Sequence, residues 1–76
     1  MNILVIEDDT PTRQFLSNLL KGESFGVRAV PTAEQGLSLI DQEIFDLIVL
    51  DLGLPGMTGL EMLHHVRFSE NDTPVL

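Results

Sequence analysis

Three acidic side chains, Glu7, Asp8 and Asp51, stand where this sequence could do chemistry. Each comes just after a short apolar run: Ile3-Leu4-Val5-Ile6 gives way to Glu7-Asp8-Asp9, and the run from Phe45 to Leu50 ends on Asp51. Such runs, with β-branched residues at their centre, read as strands buried on both faces, which belong in parallel sheets. In an open parallel sheet, ligands collect in the crevice beyond the carboxyl ends of the strands, where these acids would sit. Carboxylates that converge there repel by roughly 4 kcal/mol per pair at about 4 Å if the effective dielectric is near 20. Either one group holds a proton at a raised pKa, or a bound cation offsets the charge. Oxygen-only ligands at a wet sheet edge suit Mg²⁺ or Mn²⁺, which keep several waters for a phosphate oxygen to displace. A carboxylate beside such an ion can attack a phosphoryl group and become an aspartyl phosphate.

The elements that must position these acids can be read in order. A first strand covers Asn2 to Ile6. Asp9 or Thr10 caps a helix that has Pro11 in its first turn, where the missing N–H does no harm. Phe15, Leu16, Leu19 and Leu20 form its apolar stripe, and the helix fades near Gly22. A weaker strand, Val27 to Val30, carries Arg28, whose cost inside a sheet places it at an edge. Thr32 and Gln35 match a capping box for a second helix that runs to about Glu43, with Ala33, Leu37 and Ile40 inward and Asp41 and Glu43 toward solvent. After the strand ending at Asp51, Pro and Gly turn chemistry in Leu54-Pro55-Gly56-Met57-Thr58-Gly59 leads to a third helix, capped by Thr58 and Glu61, with Leu60, Leu63 and Val66 on its inner face. Ser69-Glu70-Asn71-Asp72 is a loop, and Thr73-Pro74-Val75-Leu76 resembles the opening of a fourth strand. Strands alternating with helices imply right-handed βαβ units and an α/β fold with a parallel sheet and helices on both faces. With the two buried strands central, the order is 2-1-3-4, which sets the tips of strands one and three side by side at the switch point.

Charge and composition narrow the function. Twelve acids against Arg13, Lys21, Arg28 and Arg67 give a net charge of −8, so the 76-residue chain lacks the basic patch that nucleic acid or an anionic membrane needs. Direct DNA contact by this segment is not expected. The absence of cysteine removes disulfides and thiolate metal sites and fits a reducing compartment. No stretch has the pattern of a signal peptide or a membrane span, so the expected setting is the cytoplasm. One domain is the most that this length allows.

Other motifs resolve into plainer roles. Asp9 reads as a helix cap rather than a ligand, and Asp46 as a solvated flank of its strand. His64 and His65, adjacent on a helix, point about 100° apart and do not easily share an ion. Met57 and Met62 read as packing. The glycines at 53, 56 and 59 do not match the dinucleotide-binding spacing.

Taken together, Asn2-Ile3-Leu4-Val5-Ile6-Glu7-Asp8-Asp9 and the stretch from Asp46 through Asp51-Leu52-Gly53-Leu54-Pro55-Gly56-Met57-Thr58-Gly59 resemble the receiver domain of two-component response regulators. The likeness covers the whole chain, residues 1–76, and the acids and the loop occur in family-like order and spacing. The resemblance implies a flavodoxin-like doubly wound fold and a signalling protein, not an enzyme, that takes a phosphoryl group from a phosphohistidine on a sensor histidine kinase. Asp51 matches the phosphoacceptor. Asp8 matches the acid that contacts Mg²⁺ directly, Glu7 the neighbour that acts through water, and the backbone carbonyl of Gly53 the third protein ligand. Glu7 in place of a second Asp, and the character of the loop, resemble regulators that control transcription through a DNA-binding effector domain.

The chain also departs from the family pattern. Receivers carry a Ser or Thr just beyond the fourth strand and a Lys at the end of a fifth, and Leu76 comes before either. The sequence therefore reads as a partial receiver, without the fourth helix, fifth strand and fifth helix. Loss of the Lys charge clamp is expected to slow phosphoryl transfer by orders of magnitude while sparing the metal pocket. The uncovered face of the first helix and the open edge of strand four predict self-association, as a homodimer or by exchange of elements between copies. Two alternatives stand beside this reading. A haloacid-dehalogenase-type phosphatase would want a second acid two residues after Asp51, where Gly53 stands, and a pseudo-receiver would use the fold for dimerisation without being phosphorylated.

Overall fold

The computed structural model describes residues 1–51, 54, 56–69 and 71–76. Its elements are β1 (Asn2–Ile6), α1 (Thr10–Gly22), β2 (Gly26–Val30), α2 (Ala33–Gln42), β3 (Leu47–Leu50) and α3 (Gly59–Phe68). The three strands form one parallel sheet in the order β2-β1-β3, so β1 is central and the Arg28-bearing β2 is an edge, as its charge requires. Arg28 faces outward to pair with Glu43 at 3.2 Å, so Glu43, expected to be left to solvent, is instead half-buried and tied to the sheet edge.

The expected fourth strand is present only as a single parallel bridge between Ile48 and Val75. Ile48 N–H donates to the Pro74 oxygen at 2.9 Å, Leu76 N–H to the Ile48 oxygen at 2.8 Å and Leu50 N–H to the Leu76 oxygen at 3.0 Å. Three bonds from the last three residues fix a direction alongside β3, but too few residues pair to make a ladder. Arg67 reinforces the approach by donating to the oxygens of Asn71 and Thr73 at 2.8 and 3.0 Å.

Strand alternation divides the buried residues between two faces. Leu4, Ile6 and Ile48 join Ala33, Phe45, Leu54, Met62 and Val66 in the main core, beneath α2 and α3, which pack together. Ile3 and Val5 are equally buried but lie outside that cluster and turn to the opposite face. α1 packs on β1 and β2. Gly36 of α2 explains how closely that helix sits on the sheet: a Cβ there would fall 2.5 Å from Cδ1 of Ile6 and 3.1 Å from Cε of Met62.

Two apolar faces depart from the sequence expectation. On α3 the inward residues are Gly59, Met62 and Val66, whereas Leu60 is 57% exposed. The phase of the helix is thus rotated from the Leu60-Leu63-Val66 stripe. On α1 no residue is fully buried, and Phe15 and Leu19 are 64% and 52% exposed, so half of its apolar stripe faces outward. The helix starts follow the sequence closely. Asp9 caps α1 by accepting from Thr12 N–H at 3.0 Å, and Thr58 and Glu61 form the full reciprocal capping box. At α2 the Thr32 side chain accepts from Gln35 N–H at 3.1 Å, but the Gln35 side chain meets the Thr32 hydroxyl, so the box is closed on one side only.

Candidate functional site

The acid-bearing segments leave adjacent strands at the same level. β1 pairs with β3 through Ile6 opposite Leu50, and β1 pairs with β2 through Ile6 opposite Val30. Beyond those pairs, Asp51 N–H donates to the Ile6 oxygen and Glu7 N–H to the Val30 oxygen, each at 3.1 Å. Backbone bonds to both neighbours therefore fix where Glu7, Asp8 and Asp51 emerge. One carboxylate oxygen from each of the three lies within 4.8 Å of the other two. Glu7 and Asp51 are half-buried and Asp8 is exposed, so the cluster is open to solvent on one side.

This convergence has an electrostatic cost that shows at Glu7. Burial pushes its carboxyl above the ordinary glutamate value, the Asp9 N–H that it accepts at 3.1 Å opposes the rise, and the Asp51 charge, a hydrogen bond with Asp51 and the Asp8 charge add to it. A carboxyl that holds its proton more tightly when folded stabilises the fold below its unfolded pKa and loses that contribution as pH rises through the folded value. Without added divalent cation, wild-type stability should therefore fall relative to Glu7→Gln as pH climbs from about 4.5 through the raised value, as read by thermal melts across that range. Equal pH slopes for the two proteins would refute the shift.

Oxygen donors alone, three carboxylates in reach of one point and access to water are what a hard divalent ion such as Mg²⁺ or Mn²⁺ requires. The chain's own basic groups are directed elsewhere. Arg28 pairs with Glu43, Arg67 holds the oxygens of Asn71 and Thr73, and Lys21 lies in the last turn of α1. Arg13 does reach the loop, but its Nη1 donates to the main-chain oxygens of Glu7 at 2.9 Å and Asp8 at 3.4 Å. Sequence reading counted Arg13 only toward the net charge. The available signal was its position one turn into α1, because helix side chains lean back toward the N-terminus and so toward the preceding loop.

The remaining expectations sort cleanly. Asp9 is the cap of α1, and its carboxylate takes both the N–H and the hydroxyl of Thr12, which lowers its pKa. Asp46 is exposed, yet it accepts from Asn2 N–H at 2.7 Å and so ties the start of β1 to β3. His64 and His65 are exposed on α3, outside the acid cluster. The Gly53 carbonyl, expected as a ligand, lies outside the described residues.

With the fold and the acid pocket in place, a family model for the response regulator receiver domain matches residues 3–76. The chain belongs to that family. The cell cycle response regulator CtrA of Brucella ovis is 42% identical to this receiver over 76 residues, all of this chain and 33% of that protein. The chain thus spans about a third of the length of the curated relatives it matches. Among solved structures, the response regulator TrrA of Thermotoga maritima in complex with Mg²⁺-BeF superposes with a TM-score of 0.90 at 28% identity, covering 97% of this receiver and 64% of that chain. A structure of the histidine kinase ThkA in complex with TrrA gives a TM-score of 0.89 at 28% identity, again over 97% of this receiver and 64% of that chain. No helix of the described residues is long and apolar enough to cross a membrane.

Proposed function

We propose that this chain is the phosphoacceptor part of a two-component response regulator, with Asp51 as the residue phosphorylated. The observation that carries the reading is the approach of the Glu7, Asp8 and Asp51 carboxylates to within 4.8 Å at the tips of paired strands, in a chain of the receiver family. The Asp51 carboxylate oxygen attacks the phosphorus of a phosphohistidine, the P–N bond breaks, and the imidazole leaves and recovers a proton from solvent. The product is an acyl phosphate on Asp51. Asp8 and Asp51 would hold Mg²⁺ or Mn²⁺ directly, with Glu7 acting through water and the Gly53 carbonyl completing the protein ligands. A bound divalent ion would offset negative charge on the phosphoryl oxygens. A bound ion's charge would favour the ionised form of Glu7, whose carboxyl is pushed above its ordinary value by burial and the neighbouring acids.

The donor follows from the same chemistry: a sensor histidine kinase, in the cytoplasm, with TrrA and ThkA as the solved precedent for such a pair. Pro74 and Leu76, bonded to Ile48 and Leu50 of β3, favour the reading of a fourth strand beginning here, which would give the order 2-1-3-4. The protein transmits the signal rather than acting as an enzyme, and its output is transcriptional, through a domain beyond this segment. The exposed Phe15 and Leu19, and the free side of the bridge at Val75, favour self-association of the 76-residue chain, which light scattering across a concentration series would detect.

Incubation with acetyl phosphate and Mg²⁺ followed by intact-mass measurement tests the central claim. One added phosphoryl group, removed by hydroxylamine as expected of an acyl phosphate, supports it. Beryllofluoride binding without covalent phosphorylation would leave the pocket and remove the acceptor role. Neither would leave an interaction module.

A further inference from the structure

We infer that Arg13 is the positioning residue of this site: it holds the loop carrying Glu7 and Asp8 so that their carboxylates meet Asp51. The inference rests on the divalent-ion reading of the acid pocket. Glu7, Asp8 and Asp9 form the whole connection between β1 and α1. At one end this connection is tied by Glu7 N–H to Val30, and at the other by the Asp9 side chain to Thr12 and by Arg13 N–H to the Asp9 oxygen at 2.8 Å. Between those ties lie the carbonyls of Glu7 and Asp8. The Arg13 guanidinium takes both through one nitrogen, at 2.9 and 3.4 Å, while its second reaches the Thr10 hydroxyl at 3.4 Å.

A planar fork suits this task because it spans neighbouring acceptors with its direction fixed by the group itself, which a lysine ammonium does not do. The choice of acceptor matters as much. A cation bonded to the carboxylates would compete with the divalent ion. Bonded to the carbonyls behind them, it fixes the peptide planes of both acids and leaves the acidic oxygens turned to the pocket. Arg13 therefore does for these two acids what an outer hydrogen-bond partner does for a metal-binding histidine.

The sign of the effect separates positioning from charge. A positive group near a cation site opposes binding by Coulomb repulsion, so if its charge were all that mattered, Arg13→Ala would bind a divalent ion more tightly. Positioning predicts the reverse. The experiment titrates the 76-residue chain with Mn²⁺ and reads the free aqueous ion by electron paramagnetic resonance, since the chain has no tryptophan or tyrosine to report by fluorescence. Wild type, Arg13→Ala, Arg13→Lys and Asp8→Asn are compared well below their melting temperatures, set by circular dichroism. Asp8→Asn should lose most of the binding, which verifies the site. Arg13→Ala should bind about 10-fold more weakly. Arg13→Lys, which keeps the charge and the stem, should remain weaker than wild type, and it carries the test if the alanine variant is too unstable to measure. Wild-type or tighter affinity in either Arg13 variant, with Asp8→Asn impaired, overturns the role of Arg13 and leaves the site standing. Mn²⁺ binding that ignores Asp8→Asn overturns both.

Discussion

Asp51→Asn should take up no phosphoryl group from acetyl phosphate and Mg²⁺ under conditions that phosphorylate the wild-type chain. The amide that replaces the carboxylate has nearly the same shape but a far weaker nucleophile, so the P–O bond to position 51 does not form. Asp51 also contributes one of the three oxygens of the acidic cluster, so on the proposed reading the variant loses, along with the acceptor, part of the charge that would draw a cation. The two losses can be read apart. Intact mass reports the covalent step, while Mn²⁺ titration should show binding weakened rather than abolished, because Glu7 and Asp8 remain. Relief of carboxylate repulsion predicts in addition that Asp51→Asn melts no lower than wild type in the absence of divalent ions. Phosphorylation persisting at wild-type extent in this variant would place the acceptor on another residue.

Leu4→Ala should produce the largest loss of stability. Leu4 lies at the middle of the central strand, is 0% exposed, and faces the core shared with Ile48, Met62 and Val66. Emptying such a site costs about 2–5 kcal/mol, because neighbours anchored in two helices and two strands cannot collapse into the gap. A chain of 76 residues has a total stability on the order of 4–11 kcal/mol, so this single change consumes a large share of it. The melting temperature should drop by at least about 10 °C. Phe15→Ala, at a position 64% exposed, provides the contrast: its melting temperature should change little, and circular dichroism on both variants checks the pair. Similar drops for the two would mean that the core is not centred on β1.

Much of the arrangement could be read from residue types because the decisive signals are local. Ile3-Leu4-Val5-Ile6 and Leu47-Ile48-Val49-Leu50 have no polar face to offer solvent, so their pairing side by side in a parallel sheet, with β1 central, follows from composition. Asp9 and Thr58 cap helices through side chains three residues from their partners, a relation wholly contained in the sequence. The meeting of Glu7, Asp8 and Asp51 followed in turn from strand order, since acids that end neighbouring parallel strands have nowhere else to go. What stayed hidden depends on competition between equals. On α3, Leu60 and Met62 are both apolar, and it is Met62 that turns inward, its Cε beside Gly36. Arg13 is one of several polar residues on α1, so its bonds to two carbonyls leave no mark in hydrophobic periodicity. The terminal strand was legible in direction, but its extent depends on pairing that three hydrogen bonds only begin.

The absent side chain at Gly36 sets a dimension that the pocket inherits. Ile6, whose methyl would collide with any β-carbon at that position, is the residue immediately before Glu7 and the one whose carbonyl holds the amide of Asp51. The depth at which α2 beds onto β1 is therefore a ruler for the spacing of acids at the far rim of the sheet. A methyl group added on the underside would reach the acidic cluster as a change in the spacing of its carboxylates.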